Sequence, residues 1–132
     1  ARHVLNQEQS DTFRHPSLMH KKVSKIVRHI NAHYMDPLTL NNVAQKFNIS
    51  PSYLSRIFKQ ATGFTFVEYI NNVRIREAQS LLISTDEKVI DISYSVGYMS
   101  ISHFGRVFKE MTGYSPLEFR KRNRERSTSN SN

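Results

Sequence analysis

Cysteine is missing from this chain of 132 residues. Its absence excludes disulfides, thiolate-bound zinc and cysteine nucleophiles, and it fits a reducing compartment such as the cytoplasm. No apolar run approaches the ~20 residues a membrane span needs, and no signal-peptide pattern opens the chain. Nor is there a Gly-rich phosphate loop, a GxSxG elbow or a paired-carboxylate arrangement. Nothing assembles nucleophile, base and electrophile, so the chain reads as a non-enzyme without a cofactor. Strand-period segments of useful length are lacking too. Acidic residues are scarce, 11 against 19 lysines and arginines, which leaves a net charge of +8 and a pI near 10.0. That balance favours a polyanionic partner, nucleic acid or an anionic membrane surface. Half of the excess, +4, lies between Arg120 and Arg126. A basic tail is often just a solvated end, so it does not carry the case alone.

What is present is helical periodicity, and the expected class is all-α with about seven helices. Residues 1–17 are polar, lack a sustained period and include Pro16; they read as a linker or flexible arm. An opening at Ala1 rather than methionine suggests a fragment of something longer. From Leu18, Val23, Ile26, Val27, Ile30 and Tyr34 form one apolar stripe. Asp36-Pro37 breaks it. Thr39 is then the expected N-cap of a short helix with Leu40, Val43, Ala44 and Phe47 inward. After a tight turn at Asn48-Ile49, Ser50-Pro51 opens a helix with Leu54, Ile57, Phe58 and Ala61 facing the core, and Gly63 closes it. Thr65 and Glu68 spell a capping box for a long helix to about Ile83. A second short helix carries Val89, Ile92 and Val96 and ends at Gly97. The next, from about Ser100 to Thr112, is expected to bury Phe104, Val107, Phe108 and Met111. Ser115 and Glu118 form a second capping box, with Pro116 at the first helical position. The expected division is an arm over 1–17, a first subdomain over 18–64, a linker helix over 65–83, a second subdomain over 84–126 and a disordered tail over 127–132.

The chain writes one sentence twice, SYLSRIFKQATG from Ser52 and SHFGRVFKEMTG from Ser102. At an offset of 50, residues 52–74 and 102–124 share eight identities in 23 positions. These are Ser52/Ser102, Arg56/Arg106, Phe58/Phe108, Lys59/Lys109, Thr62/Thr112, Gly63/Gly113, Glu68/Glu118 and Arg74/Arg124. Phe64 with Tyr69, and Tyr114 with Phe119, stand where a hydrophobic staple would bracket each capping box. Upstream the offset becomes 49, which puts one extra residue in the second turn. Each copy is a short helix, a tight turn and a longer helix, the pattern of a helix-turn-helix. The plain alternative is a pair of scaffold hairpins, but two copies are too few for a solenoid. On the longer helices, Ser52, Ser55, Arg56 and Lys59, and then Ser102, Gly105, Arg106 and Lys109, lie opposite the apolar stripe. Neither face holds an acid. Small residues let a backbone approach the groove floor, arginine matches O6 and N7 of guanine, and lysine and serine suit phosphate.

These residues carry a resemblance. LSRIFKQATG, the stretch RIREAQSLL and VIDISYSVGYMSISHFGRVFKEMTGYSPLEFR are similar to the DNA-binding domain of the AraC/XylS family of bacterial transcription regulators, over about Lys21 to Arg124. The resemblance implies two helix-turn-helix subdomains joined by one long helix, with both recognition helices addressing successive major-groove segments of promoter DNA. A linker of ~27 Å plus helix widths is compatible with groove faces ~34 Å apart. It further implies base-reading positions at Ser52, Ser55 and Arg56, and at Ile101, Ser102, Gly105 and Arg106. It implies regulation of transcription, with activation the expected direction, RNA polymerase as a partner, and an effector, dimerisation or receiver domain ahead of this module. Two positions depart from the family. Ser93 replaces a usual small alanine, adding a hydroxyl that needs a partner. Gly105 replaces a longer polar residue and leaves fewer side chains to read bases.

Other constellations are weaker. His29 and His33 are four apart with Asp36 behind, yet HINAH lacks the glutamate of HExxH; surface histidines are the plainer reading, and no metal is expected. His103 borders the recognition face, where a phosphate contact and a core-edge role are equally open. Tyr53, Phe64, Tyr98 and Tyr114 read as core and staple residues rather than stacking platforms. Two rivals to DNA reading remain, a protein-interaction module docking on an acidic partner and non-specific nucleic-acid coating by the basic tail.

Overall fold

The computed structural model describes the backbone of residues 16–131 and the side chains of residues 18–126. Most of the expected arm lies outside that range. Among the described residues there are seven helices and no strand: α1 (Pro16–His33), α2 (Leu40–Lys46), α3 (Pro51–Thr62), α4 (Phe66–Ser84), α5 (Val89–Ser95), α6 (Ile101–Thr112) and α7 (Pro116–Ser131). Helix α1 starts at Pro16, two residues ahead of Leu18. Helix α7 runs past Arg126 to Ser131; Asn132 lies outside the described residues.

Helix ends follow the local chemistry. The Thr39 hydroxyl accepts the Asn42 amide at 3.0 Å, and the Asn42 side chain returns the bond to the Thr39 amide at 3.0 Å. The Ser50 hydroxyl accepts the Tyr53 amide at 3.1 Å, and Ser100 does the same for His103 at 3.3 Å. Both capping boxes form, Thr65 with Glu68 and Ser115 with Glu118. Helices α3 and α6 each end on a left-handed glycine, Gly63 at φ 81° and Gly113 at φ 85°. Helix α5 opens at Lys88 without a side-chain cap.

The chain divides into two compact units at Ile70/Asn71, within α4. The first unit packs α1, α2, α3 and the start of α4 around Ile26, Ile30, Val43, Leu54, Ile57 and Phe58, all at most 1% exposed. Phe58 meets Phe66 and Tyr69 edge to face, at 5.8 and 5.3 Å between ring centroids. Phe64 and Tyr69 form the expected staple at 6.5 Å. The second unit gathers Ile75, Leu82, Ile92, Val96, Phe104 and Phe108. Phe108 packs at a tilt against Phe104 and edge-on against Phe119.

Two expectations are corrected here. Met111, placed in the core by its spacing, is 42% exposed. It lies in the last turn of α6, beyond Phe108, where periodicity still gives a direction but no longer implies depth. Ser93 is fully buried, yet its hydroxyl has no hydrogen-bond partner.

Candidate nucleic-acid interface

The two turns are built alike. The Ile49 amide donates to the Ala44 carbonyl at 3.0 Å, and the Tyr98 amide donates to Ser93 in the same way at 3.0 Å. Both pairs obey the offset of 49, while the caps Ser50 and Ser100 obey 50. The extra residue of the second turn is therefore Met99, and it is 83% exposed. Each turn needs a positive φ, supplied by Asn48 at 56° and by Gly97 at 111°. Asparagine tolerates that region better than most side chains, and glycine enters it freely.

Geometry separates the repeated identities into two groups. Phe58 and Phe108 are buried. Thr62 and Thr112 each donate a hydroxyl to the carbonyl four residues earlier, at 2.8 Å. Gly63 and Gly113 cap their helices, and Glu68 and Glu118 complete the capping boxes. Arg74 stacks on Tyr98 at 5.5 Å, while Arg124 pairs with Asp86 at 3.0 Å. Five of the eight shared pairs thus serve the fold. The remaining three, Ser52/Ser102, Arg56/Arg106 and Lys59/Lys109, are exposed on α3 and α6. Identity there is not explained by burial in the core.

Around that set, Ser55, Ile101 and His103 are also exposed, and Gly105 is half-buried. The structure brings Ser52, Ser55, Arg56 and Lys59 onto the outer face of α3, and Ile101, Ser102, His103, Gly105, Arg106 and Lys109 onto α6. Arg56 rests its guanidinium 5.5 Å from the Tyr53 ring, so the tip of the side chain leans on its own helix. Lys59 bonds back to the Gly63 carbonyl at 3.1 Å, a helix C-cap contact. His103 sets its ring edge-on to Tyr98 at 5.4 Å, while the residue as a whole stays exposed.

Sequence reasoning missed Lys22. It lies on α1, yet its ammonium sits 5.8 Å from the same Tyr53 ring that carries Arg56. A tertiary contact between α1 and α3 places it there, and no local period signals it. Reasoning from charge also treated the basic run at the end of the chain as one patch, whereas Arg120 is committed to the fold. It donates to the carbonyls of Leu82, Thr85 and Glu87 at 2.9, 3.2 and 2.7 Å, closing the end of α4 and the loop behind it.

Titration is perturbed away from these faces. Burial pushes the Tyr98 hydroxyl up to about 12, against the opposing pull of Arg74. Its proton is held by a 2.7 Å bond to the Asn71 side chain. Burial is also the main cause that holds Arg74 below its ordinary range. At the histidine pair, burial of His29 lowers its pKa, helped by His33 and Lys46 and opposed by Asp36. His33 gives its Nδ1 to Asp36 at 3.1 Å. Among the described residues no group of three or more potential ligands gathers for a metal ion, and no helix is long and apolar enough to cross a membrane.

Residues 43–122 match the family model described as a helix-turn-helix domain. The Msm operon regulatory protein of Streptococcus mutans is 37% identical over 99 residues, covering 75% of this chain and 36% of that protein. The C-terminal domain of AraT, a response regulator from Geobacillus stearothermophilus, superposes with a TM-score of 0.74 at 36% identity, covering 76% of this chain and 84% of that one. A probable AraC family transcriptional regulator from Rhodopseudomonas palustris aligns with a TM-score of 0.69 at 26% identity, over 78% and 97% of the two chains. The chain spans between 33% and 41% of the length of several curated relatives it matches. The matched region is a binding domain rather than a catalytic one. With its doubled helix-turn-helix and its regulator relatives, the chain belongs to the AraC/XylS family of transcription regulators and comprises that family's DNA-binding domain.

Proposed function

We propose that this domain reads bacterial promoter DNA in a sequence-specific way, with α3 and α6 entering successive major-groove segments, and that it activates transcription. The observation that carries the reading is the residue of the repeat left over after folding is accounted for. Serine, arginine and lysine recur at equivalent exposed positions on two acid-free helix faces. Arg56 and Arg106 act as base readers, each offering a fork that fits O6 and N7 of guanine. His103 and Lys109 hold phosphates, while Ser52, Ser55, Ile101, Ser102 and Gly105 face the base edges of the groove floor. Lys59 joins the phosphate contacts by exchanging its bond to Gly63 for a DNA oxygen.

The division of labour is unequal. Ser55 stands against Gly105 in the alignment, so the first copy carries more of the specificity and the second leans more on backbone contacts. The subdomain limits at 18–64, 65–83 and 84–126 belong to the same reading. Working in the cytoplasm, the domain would act beside RNA polymerase. Its signal would come from an effector, dimerisation or receiver domain carried ahead of it. The match to the C-terminal domain of a response regulator supports that arrangement.

Selection of sites from a random duplex pool, followed by footprinting, tests the reading. A protected region spanning two adjacent major grooves is expected. Equal affinity for the selected site and random duplex at physiological salt would sink it.

A further inference from the structure

We propose that the second recognition helix reads a thymine through its C5-methyl group, which seats over Gly105 beside Ile101. The proposal rests on the DNA-binding reading and names the chemistry of one contact within it.

Gly105 lies in the interior of α6, where glycine is unfavourable by roughly 0.5–1 kcal/mol relative to alanine. Its backbone does not require glycine, because the positive-φ glycines are Gly63, Gly97 and Gly113. Packing does not require it either: a Cβ added there meets no heavy atom within 4 Å. The space beside the backbone there is open, and a group from outside the chain can approach it closely. Ile101 is one helical turn earlier on the same face, and it is 40% exposed. Met99, two residues before Ile101, adds a second exposed apolar side chain at that helix end. The first copy has Pro51 and Ser55 at the two equivalent positions, so the feature belongs to α6 alone.

Charge selects the occupant. Arg106 and Lys109 share the exposed side of α6 without an acid among them, which suits a duplex rather than an apolar protein segment. Among the four unmodified base-pair edges in the major groove, thymine is the one that presents a methyl group. An isoleucine wall above a bare helix backbone admits that methyl. A side chain at Gly105 would fill the space.

The test replaces each thymine of the selected site by uracil, one at a time, and measures binding by the 132-residue chain. Loss of one buried methyl should weaken wild-type binding about fourfold at a single position. Ile101→Ala and Gly105→Gln should bind the thymine site less tightly and lose the sensitivity at that position. Ile101 is exposed and a Cβ at Gly105 meets nothing within 4 Å, and thermal melts of each variant check that it folds. The proposal is overturned if no uracil substitution weakens wild-type binding twofold, or if the sensitive position responds unchanged in both variants. In either case selective binding of the site would still stand. Failure to select any site would instead overturn the DNA-binding reading, and this proposal with it.

Discussion

Ser93 has a buried hydroxyl without a partner, at a position where the family usually has alanine. An unsatisfied buried polar group costs about 1–3 kcal/mol. Ser93→Ala should therefore raise stability by about 1 kcal/mol, read as a higher urea midpoint with an unchanged slope. The sequence showed that the hydroxyl was unusual; only the packing showed that nothing answers it. Tyr98 makes a second prediction. Its pKa rises to about 12 on folding, above the ordinary value near 10, so the folded state holds a proton that the unfolded state has lost. The stability this confers is complete below pH ~10 and is lost as pH rises through ~12, at up to about 1.4 kcal/mol per pH unit. Urea unfolding at pH 9 and 11 should show the loss, and Tyr98→Phe should flatten it. The place of Tyr98 in the core was legible in the sequence, but its bond to Asn71, 27 residues away, was not.

At the element scale, the glycines of α6 are expected to behave oppositely. Gly113 caps the helix at φ 85°, a region that L side chains rarely adopt. Gly113→Ala should destabilise by about 1 kcal/mol, while Gly105→Ala, on an ordinary helical backbone, should stabilise by about 0.5–1 kcal/mol. Melting temperatures of the two variants decide it. The caps, the staple at Phe64 and the capping boxes were legible because each is a bargain between residues at most five apart. Arg120 is the contrast. Its three carbonyl partners lie 33 to 38 residues earlier in the chain, so charge counting placed it in a solvated tail. Hydrogen bonds to charged groups contribute about 1.5–3 kcal/mol. Arg120→Ala should cost about 2–3 kcal/mol in urea unfolding, whereas Arg126→Ala should stay within about 0.5 kcal/mol.

For the whole molecule, binding should separate the residues that folding does not use. Arg56→Ala is expected to cost about 1–3 kcal/mol and to relax preference at one base position. Lys59→Ala should weaken binding to all sequences and reduce the salt slope by about one unit. Competition binding across a salt series distinguishes them. Equal loss of discrimination from Arg56→Ala and Arg106→Ala would count against the greater share assigned to the first copy. The sequence by itself determined the class, the seven helices, the doubled motif and which residues face outward on α3 and α6. Helical periodicity, capping and turn chemistry act over a few residues, and the chain records them directly. Tertiary structure alone showed that Arg74 and Arg124, among the repeated residues, serve the fold. It also brought Lys22 to the Tyr53 ring, turned Arg120 inward and left the Ser93 hydroxyl without a partner. The reason is range: a side chain's neighbours across the core are set by packing between helices distant in sequence, and no local pattern encodes them.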